Sequence, residues 1–444
     1  MVRGTLSRRG FATRALGGLV AAGLPTWFAR EAVASVSTAD RLDRRGGHNE
    51  TLQLGLIGCG GRGLGDARSA LKFKGVELVA VADVDDSHVE RAAKELAPGK
   101  DIARYRDFRE LLDRDDVDAV IIATPDHWHT IPAIYAARRG KDVYCEKPLT
   151  LTVEEGKSLV RAVRKFERVF QVGSQQRSDD RFRLACELVR NGRLGKISKV
   201  ETWIGNNPRK GPFSTVPTPE GLDWDFWCGQ TPLVDYVPER CHSDFRWWYE
   251  YSGGKMTDWG AHHNDIAQWA LGMDQSGPIR VTSHASPPIL RPNAFNTHVD
   301  FEVTYTYDKD AGPVCDGTEL VCSSKENGVK FWGTDNHWIF VNRSKIEASD
   351  PSILEEPLGP DATRLTVSRN HMANFLDCVR DRQRPICDVE VGHRSVSVCH
   401  IGVISMRLEG KELAWDPQRQ RFIGDALADG MLGRTMRAPW SLEA

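Results

Sequence analysis

Near the middle of the chain, three residues of types that can move protons recur at helical spacing. They lie in Gly253-Gly254-Lys255-Met256-Thr257-Asp258-Trp259-Gly260-Ala261-His262-His263-Asn264-Asp265. On one helix Asp258, His262 and Asp265, at i, i+4 and i+7, share a face. A carboxylate one turn from an imidazole can fix its tautomer and raise its basicity, as acid-base work near neutral pH requires. Asp258 is therefore expected to align His262, while His263 falls on another side of the helix.

A second stretch offers this chemistry a cofactor. The β-type run Leu52–Ile57 leads into Gly58-x-Gly60-x-x-Gly63, then a helix-compatible segment, then the run Val76–Ala82, which stops on Asp83. Gly58 allows a tight turn, Gly60 lets backbone approach a pyrophosphate, and Gly63 permits close helix-strand packing. The helix start, with Gly61 and Arg62, presents oriented N–H groups. Asp83 would accept hydrogen bonds from the adenosine ribose hydroxyls and repel a 2′-phosphate, so NAD is expected rather than NADP. A GxGxxG alone is weak evidence; strand before, helix after and acid on schedule make it specific.

The elements that must position these groups alternate. Helical patterns at 87–96 and 107–113 flank a short segment around Tyr105. The continuous apolar run 118–125 reads as a strand buried on both faces of a parallel sheet. A helix at 127–139 and a strand at 141–145 follow, running into Glu146-Lys147-Pro148. This alternation predicts an α/β doubly wound fold. Ligands of such sheets bind beyond the carboxyl ends of the strands, where Gly58, Asp83, Thr124, Pro125 and Lys147 stand. A helix at 153–166 and a strand at 169–173 complete the first unit, with Gln175, Gln176 and Arg177 at its boundary.

Beyond it come a helix at 181–191, a strand at 196–205 and an irregular stretch, 206–254, long enough to imply a function. Seven of the 13 tryptophans fall between Trp203 and Trp269, and such rings can stack on the apolar C–H faces of sugars. Residues 279–341 alternate β runs with turns, and helical patterns at 370–381 and 389–408 close the chain. His371, His393 and His400 are too dispersed to suggest a metal site.

At 444 residues the chain is long enough for two domains with substantial cores. Its formal net charge of −2 gives no footprint for nucleic acid or an anionic membrane, so a small-molecule partner is expected. No apolar run reaches the roughly 18 residues that read as a membrane span. Ser7-Arg8-Arg9-Gly10-Phe11 is a twin-arginine pattern, followed by the moderately apolar run 15–29 and a cleavage-type Ala32-Val33-Ala34. Residues 1–34 are thus expected to be a signal peptide sending the folded protein to the periplasm, and 35–50 a polar linker. The ten cysteines form no CxxC or framework; most, including Cys59 and Cys145, read as buried thiols.

In order and spacing, GxGxxG, Asp83, Ala123-Thr124-Pro125 with His129, Glu146-Lys147-Pro148 and D-x-x-x-H-x-x-D from Asp258 to Asp265 resemble the Gfo/Idh/MocA oxidoreductase family. The resemblance runs from residue 51 essentially to the C-terminus. It implies an NAD-binding Rossmann domain over 51–173. Over 174–444 it implies an α+β domain with a large, mostly antiparallel open sheet, one face covering the active site and the other joining subunits of a homo-oligomer. It implies that Thr124, Pro125, His129, Glu146 and Lys147 join the glycine loop around NAD. It also makes the Lys147-Pro148 peptide cis, sets Lys147 beside the nicotinamide, and gives catalysis to Lys147, Asp258 and His262. Lys147, Arg177, Trp259, His263 and Asp265 become candidates for substrate contact, with no metal. The implied activity is hydride transfer from a carbohydrate or polyol hydroxyl to NAD. Export, away from a free NAD pool, implies a retained cofactor restored in each cycle, either by oxidising one sugar and reducing another or in a glycosidase that oxidises, eliminates, hydrates and reduces back. A non-catalytic NAD-bound sugar-binding module is the alternative, and an aligned acid-base set argues against it.

Overall fold

Six parallel strands form the first sheet: β1 (Leu52–Ile57), β2 (Val76–Ala82), β3 (Ala103–Tyr105), β4 (Ala119–Ile122), β5 (Asp142–Cys145) and β6 (Phe170–Val172). The structure, a computed structural model, describes residues 8–43 and 51–443; Ser7 of the twin-arginine pattern and linker residues 44–50 lie outside them. Helices cover both faces of the sheet, so every residue of β4 and β5 is buried, the reason these strands read as unbroken apolar runs. The strand order β3-β2-β1-β4-β5-β6 reverses between β1 and β4. Such a switch point opens a crevice at the carboxyl ends of the strands. The helix Gly61–Ala70 sits tightly on β1: a Cβ on Gly63 would come within 2.0 Å of the Gly58 carbonyl oxygen. Glycine there is a packing requirement.

The second sheet contains β7 (Ile197–Trp203), β8 (Arg280–Ala285), β9 (Phe301–Thr306), β10 (Cys315–Ser323), β11 (Gly328–Gly333), β12 (Trp338–Val341), β13 (Ile346–Ala348), β14 (Leu413–Asp416) and β15 (Arg421–Ile423). Its order is β13-β12-β11-β7-β10-β9-β8-β14-β15. Neighbours are antiparallel except β7 and β10. Alternate residues such as Val303, Tyr305, Val329 and Phe331 face a core shared with the helices Gly260–Leu271 and Val389–Arg407. The irregular stretch carries a short helix, Trp224–Cys228, and a small core of its own around Trp224, Trp248 and Tyr251. At the N-terminus, the helix Thr26–Asp43 takes in residues 35–43 of the expected linker and packs on the second domain. Phe28 is buried beneath the Arg183 guanidinium (4.3 Å), and Trp27 Nε1 donates to the Leu354 carbonyl (2.8 Å). All ten cysteines are buried free thiols.

One expected helix is two. Lys255–Asp258 and Gly260–Leu271 are separate segments meeting at Trp259. The Asp258 carbonyl, which would accept from His262 N in a continuous helix, instead accepts from Lys147 Nζ at 3.0 Å, and His262 N bonds the Trp259 carbonyl.

Farther along, the expected substrate contacts Arg177 and Asp265 are occupied with each other. Both Asp265 oxygens accept from the Arg177 guanidinium at 2.8 Å, Asp274 adds a third bond at 2.8 Å, and the Arg177 and Asp265 side chains are 2% and 0% exposed. Burial pushes the Asp265 carboxyl up and Arg177 pulls against it. This pair fastens the helix Gly260–Leu271 to the domain boundary. Asp265→Ala, which strips a buried arginine of its main partner, should cost about 3 kcal/mol of stability in denaturant unfolding. Near-native stability with weakened substrate binding would return Asp265 to the substrate.

Candidate active site

Between the domains lies a cavity of about 890 Å³. Its first-domain wall includes Gly58, Gly60, Gly61, Arg62, Asp83, Thr124, Pro125, His129, Glu146 and Lys147, the expected cofactor residues with Gly63 alone excepted. Gly58 has φ +87°, and a Cβ there would meet the Ala123 backbone at 2.6 Å. A Cβ on Gly60 or Gly61 would meet nothing within 4 Å; both glycines instead bare the helix start toward the cavity, as a diphosphate needs. Asp83 is held at the rim by Cys59 N (2.7 Å) and Asp85 N (3.0 Å). Asp83 and Lys147 stand at the ends of strands three spacings apart, roughly 14 Å. Bare loop, rim carboxylate and span fit an extended dinucleotide, with Asp83 on the ribose and Lys147 toward the nicotinamide.

Several contacts stiffen this wall. His129 sets its ring nitrogens against the Pro148 (2.6 Å) and Thr124 (3.0 Å) carbonyls, tying together two strand ends. The Lys147-Pro148 peptide is cis, as expected. Glu146 accepts from Gln175 Nε2 at 2.7 Å and pairs with Arg62 at 2.8 Å, and Arg62 also reaches Asp66 at 2.8 Å.

Opposite stand Asp258, Trp259, His262 and Arg343 of the second domain. Asp258 does not align His262, as the helical spacing had suggested. Its Oδ1 accepts from Lys147 Nζ at 2.6 Å and from Arg246 Nε at 3.4 Å. Burial raises the Asp258 carboxyl, but these two cations outweigh it and leave it below its ordinary value. His262 Nδ1 is buried with no partner among the described residues. Burial first, then the charges of Lys147 and Arg343, hold the His262 imidazole well below 6.5. The ring is therefore neutral at pH 7 and can accept a proton.

The remaining expectations divide. Trp259 lines the cavity with its edge toward His262 (5.9 Å). His263 does not: it is buried, bonds Asn327 Oδ1 at 3.0 Å, and burial lowers it to about 4. Of the tryptophan cluster, Trp227 and Trp259 reach the cavity; Trp224, which also stacks on Trp227 (4.7 Å), Trp248 and Trp269 pack in cores. Arg246 and Arg343 line the cavity although no sequence pattern singled them out, and Gln176, which the sequence marks only as a boundary residue, lines it too. Arg343 sits in the turn between β12 and β13, where only the folded sheet brings it to the site.

Fold and site define a two-domain dinucleotide-binding protein. Family models described as "Oxidoreductase family, NAD-binding Rossmann fold" and "Oxidoreductase family, C-terminal alpha/beta domain" match residues 52–174 and 195–442. The chain belongs to the Gfo/Idh/MocA oxidoreductase family. Among its relatives is a glycosyl hydrolase family 109 protein of Saccharopolyspora erythraea, 37% identical over 156 residues, 34% of each chain. Another is an inositol 2-dehydrogenase of Burkholderia multivorans, 33% identical over 147 residues, 33% of this chain and 43% of that one. The chain thus matches about a third to two fifths of these relatives' length. A solved structure of the WlbA dehydrogenase from Bordetella pertussis, in complex with NADH and UDP-GlcNAcA, shares the fold. Its TM-score is 0.60 at 18% identity, with 83% of this chain and 99% of that one covered.

The cofactor is NAD, and Asp83, at the end of β2, lines the cavity that would hold it. Asp83→Ala should weaken NAD retention and narrow the preference over NADP. Calorimetry with both dinucleotides measures this; equal affinity of the wild type for the two would remove Asp83 from that role.

Proposed function

We infer that the protein oxidises a hydroxyl group of a carbohydrate or polyol with NAD held in the interdomain cleft. One observation carries this reading: a neutral His262 ring and the Lys147 amine line the same cavity as a glycine loop built for a dinucleotide. Backbone at Gly60 and Gly61, with Asp83, Thr124, Pro125 and Glu146, would hold the cofactor. Bound there, the dinucleotide would supply its nicotinamide as the acceptor of the hydride from the carbinol carbon. The protein handles the proton. Lys147, paired with Asp258 at 2.6 Å, donates a hydrogen bond to the reacting oxygen; His262 accepts the hydroxyl proton, and the substrate leaves as a ketone or aldehyde.

The similarity to glycosyl hydrolase family 109 proteins favours a second reading of the same chemistry. Oxidation of one hydroxyl acidifies the neighbouring C–H, the aglycone is eliminated, water adds, and the ketone is reduced back. Net hydrolysis without accumulated NADH distinguishes this from net oxidation. Mass spectrometry for retained NAD, then a screen of glycosides and free sugars without added cofactor, decides between them.

We also read residues 1–34 as a twin-arginine export signal and place the mature protein in the periplasm with its NAD retained. The motif at Arg8 and Arg9 supports this. Because Ala32 is buried where the helix Thr26–Asp43 docks, cleavage after Ala34 requires undocking. N-terminal sequencing of the exported protein should begin at Ser35; an intact N-terminus there would make the helix a retained arm. Subunit contacts through the open sheet are supported by its half-buried aromatic outer face, where Lys330 lies 3.9 Å from the Trp332 and 4.1 Å from the Trp338 ring centres.

His262→Ala should lower turnover about a hundredfold or more, the usual size of a general-base contribution, with NAD content unchanged. Since the folded protein depresses the His262 pKa, its neutral form persists as pH falls through 6.5. The acid limb of the rate profile should accordingly lie below 6.5. An undiminished rate in His262→Ala would move the proton acceptor elsewhere.

A further inference from the structure

Near His262, three of the cavity's cations have an acid. Lys147 and Arg246 share Asp258, at 2.6 and 3.4 Å, and Arg62 is paired with Glu146 and Asp66, each at 2.8 Å. Arg343 has no carboxylate at ion-pair distance among the described residues; Asp179, Asp258 and Glu146 act on it from farther away. Its guanidinium lies over the Trp259 ring, 4.6 Å from the centre. With the Gln176 amide turned to satisfy its neighbours, Arg343 Nε donates to the Gln176 side-chain oxygen at 3.2 Å. Both Nη groups are left without a protein partner among the described residues, and these two donors form part of the fork that grips an oxyanion.

The residue is held where it stands. Asn342 Oδ1 accepts from Ser344 N (2.8 Å) and Lys345 N (2.9 Å), closing the turn between β12 and β13, and Arg181 Nη1 donates to the Ser344 carbonyl (3.0 Å). Burial and the charge of Arg62 lower the Arg343 pKa from its ordinary value. Arg343 is exposed at the cavity's edge, and an unneutralised guanidinium there draws an anion that enters. The dinucleotide's diphosphate already has the bare glycine loop of the first domain, whereas Arg343 stands on the second, beside Trp259 and His262.

We propose that Arg343 selects the substrate by binding an oxyanion, carboxylate or phosphate, carried by the sugar whose hydroxyl faces Lys147 and His262. This deepens the oxidoreductase reading and rests on it: the substrate is an anionic sugar with its charged group in the Arg343 fork.

The test uses the full-length, NAD-loaded protein, titrated at low salt with glucuronate, glucose 6-phosphate and glucose. Binding is read by tryptophan fluorescence and calorimetry. At least one anionic sugar should bind about tenfold or more tighter than glucose, the scale of a charge-assisted bond. Arg343→Gln should abolish that difference and Arg343→Lys keep part of it, both with native circular dichroism and unchanged NAD content. Preference for glucuronate alone identifies a carboxylate, and preference for glucose 6-phosphate alone a phosphate. Equal or absent binding of all three sugars by the wild type overturns the proposal, as does a preference that survives Arg343→Gln. Loss of NAD together with the sugar in Arg343→Gln also overturns it and assigns the residue to the dinucleotide. Binding needs no turnover, so failure of the oxidoreductase reading shows separately, as absent NADH and absent hydrolysis with the anion preference intact.

Discussion

The ion pair between Lys147 and Asp258, 2.6 Å long with both side chains about 85% buried, is the contact on which the site depends. One partner follows β5 of the first domain; the other ends a short helix of the second. Taking two charges out of water roughly offsets their attraction, so the pair's contribution is chiefly positional. Lys147 also takes the Asp258 carbonyl from the helical ladder. The helix stops, restarts at Gly260, and carries His262 into the cavity. One lysine thus fixes an amine, a carboxylate and the start of the helix that bears the imidazole.

The rest of the first domain serves the same end. A parallel sheet whose order reverses between β1 and β4 leaves its crevice open, and successive strand ends place Asp83, the glycine loop, Thr124 and Lys147 along it. Arg62 crosses this line to Glu146, so the helix after the glycine loop and the residue before Lys147 cannot move independently. The cofactor wall is rigid because its parts are bonded to one another across neighbouring strands.

What was legible in the sequence follows from how local each signal is. Gly58, Gly60, Gly63 and Asp83 declare themselves because a turn, a bare backbone, a close contact and a strand end are properties of a short segment. The parallel sheet is likewise legible, since strands buried on both faces are apolar throughout. Asp258, His262 and Asp265 were read as one face of one helix, and the structure divides them. Their spacing is right for a helix, but Lys147, over a hundred residues earlier, interrupts it, and Arg177 claims Asp265. Periodicity cannot register a competitor from another domain. Arg343 was invisible for a related reason: an arginine in a β-turn looks like solvent-facing charge until the sheet sets that turn over a cavity.

The electrostatics then assign the proton's direction. Asp258 Oδ1 accepts from Lys147 Nζ at 2.6 Å and holds the amine where it can donate a further hydrogen bond. Burial first, and then the positive charges of Lys147 and Arg343, keep the His262 imidazole neutral and able to take a proton. A carboxylate beside His262, as the helical spacing had suggested, would have favoured its protonated form in the resting state and filled the base before substrate arrived. Moving that carboxylate to the lysine leaves the imidazole without an acid beside it. The same cations stabilise negative charge building on a substrate oxygen as its proton departs. In the proposed oxidation, a proton lost from a hydroxyl between Lys147 and His262 would go to the imidazole, and the charge left behind would meet the cations already there.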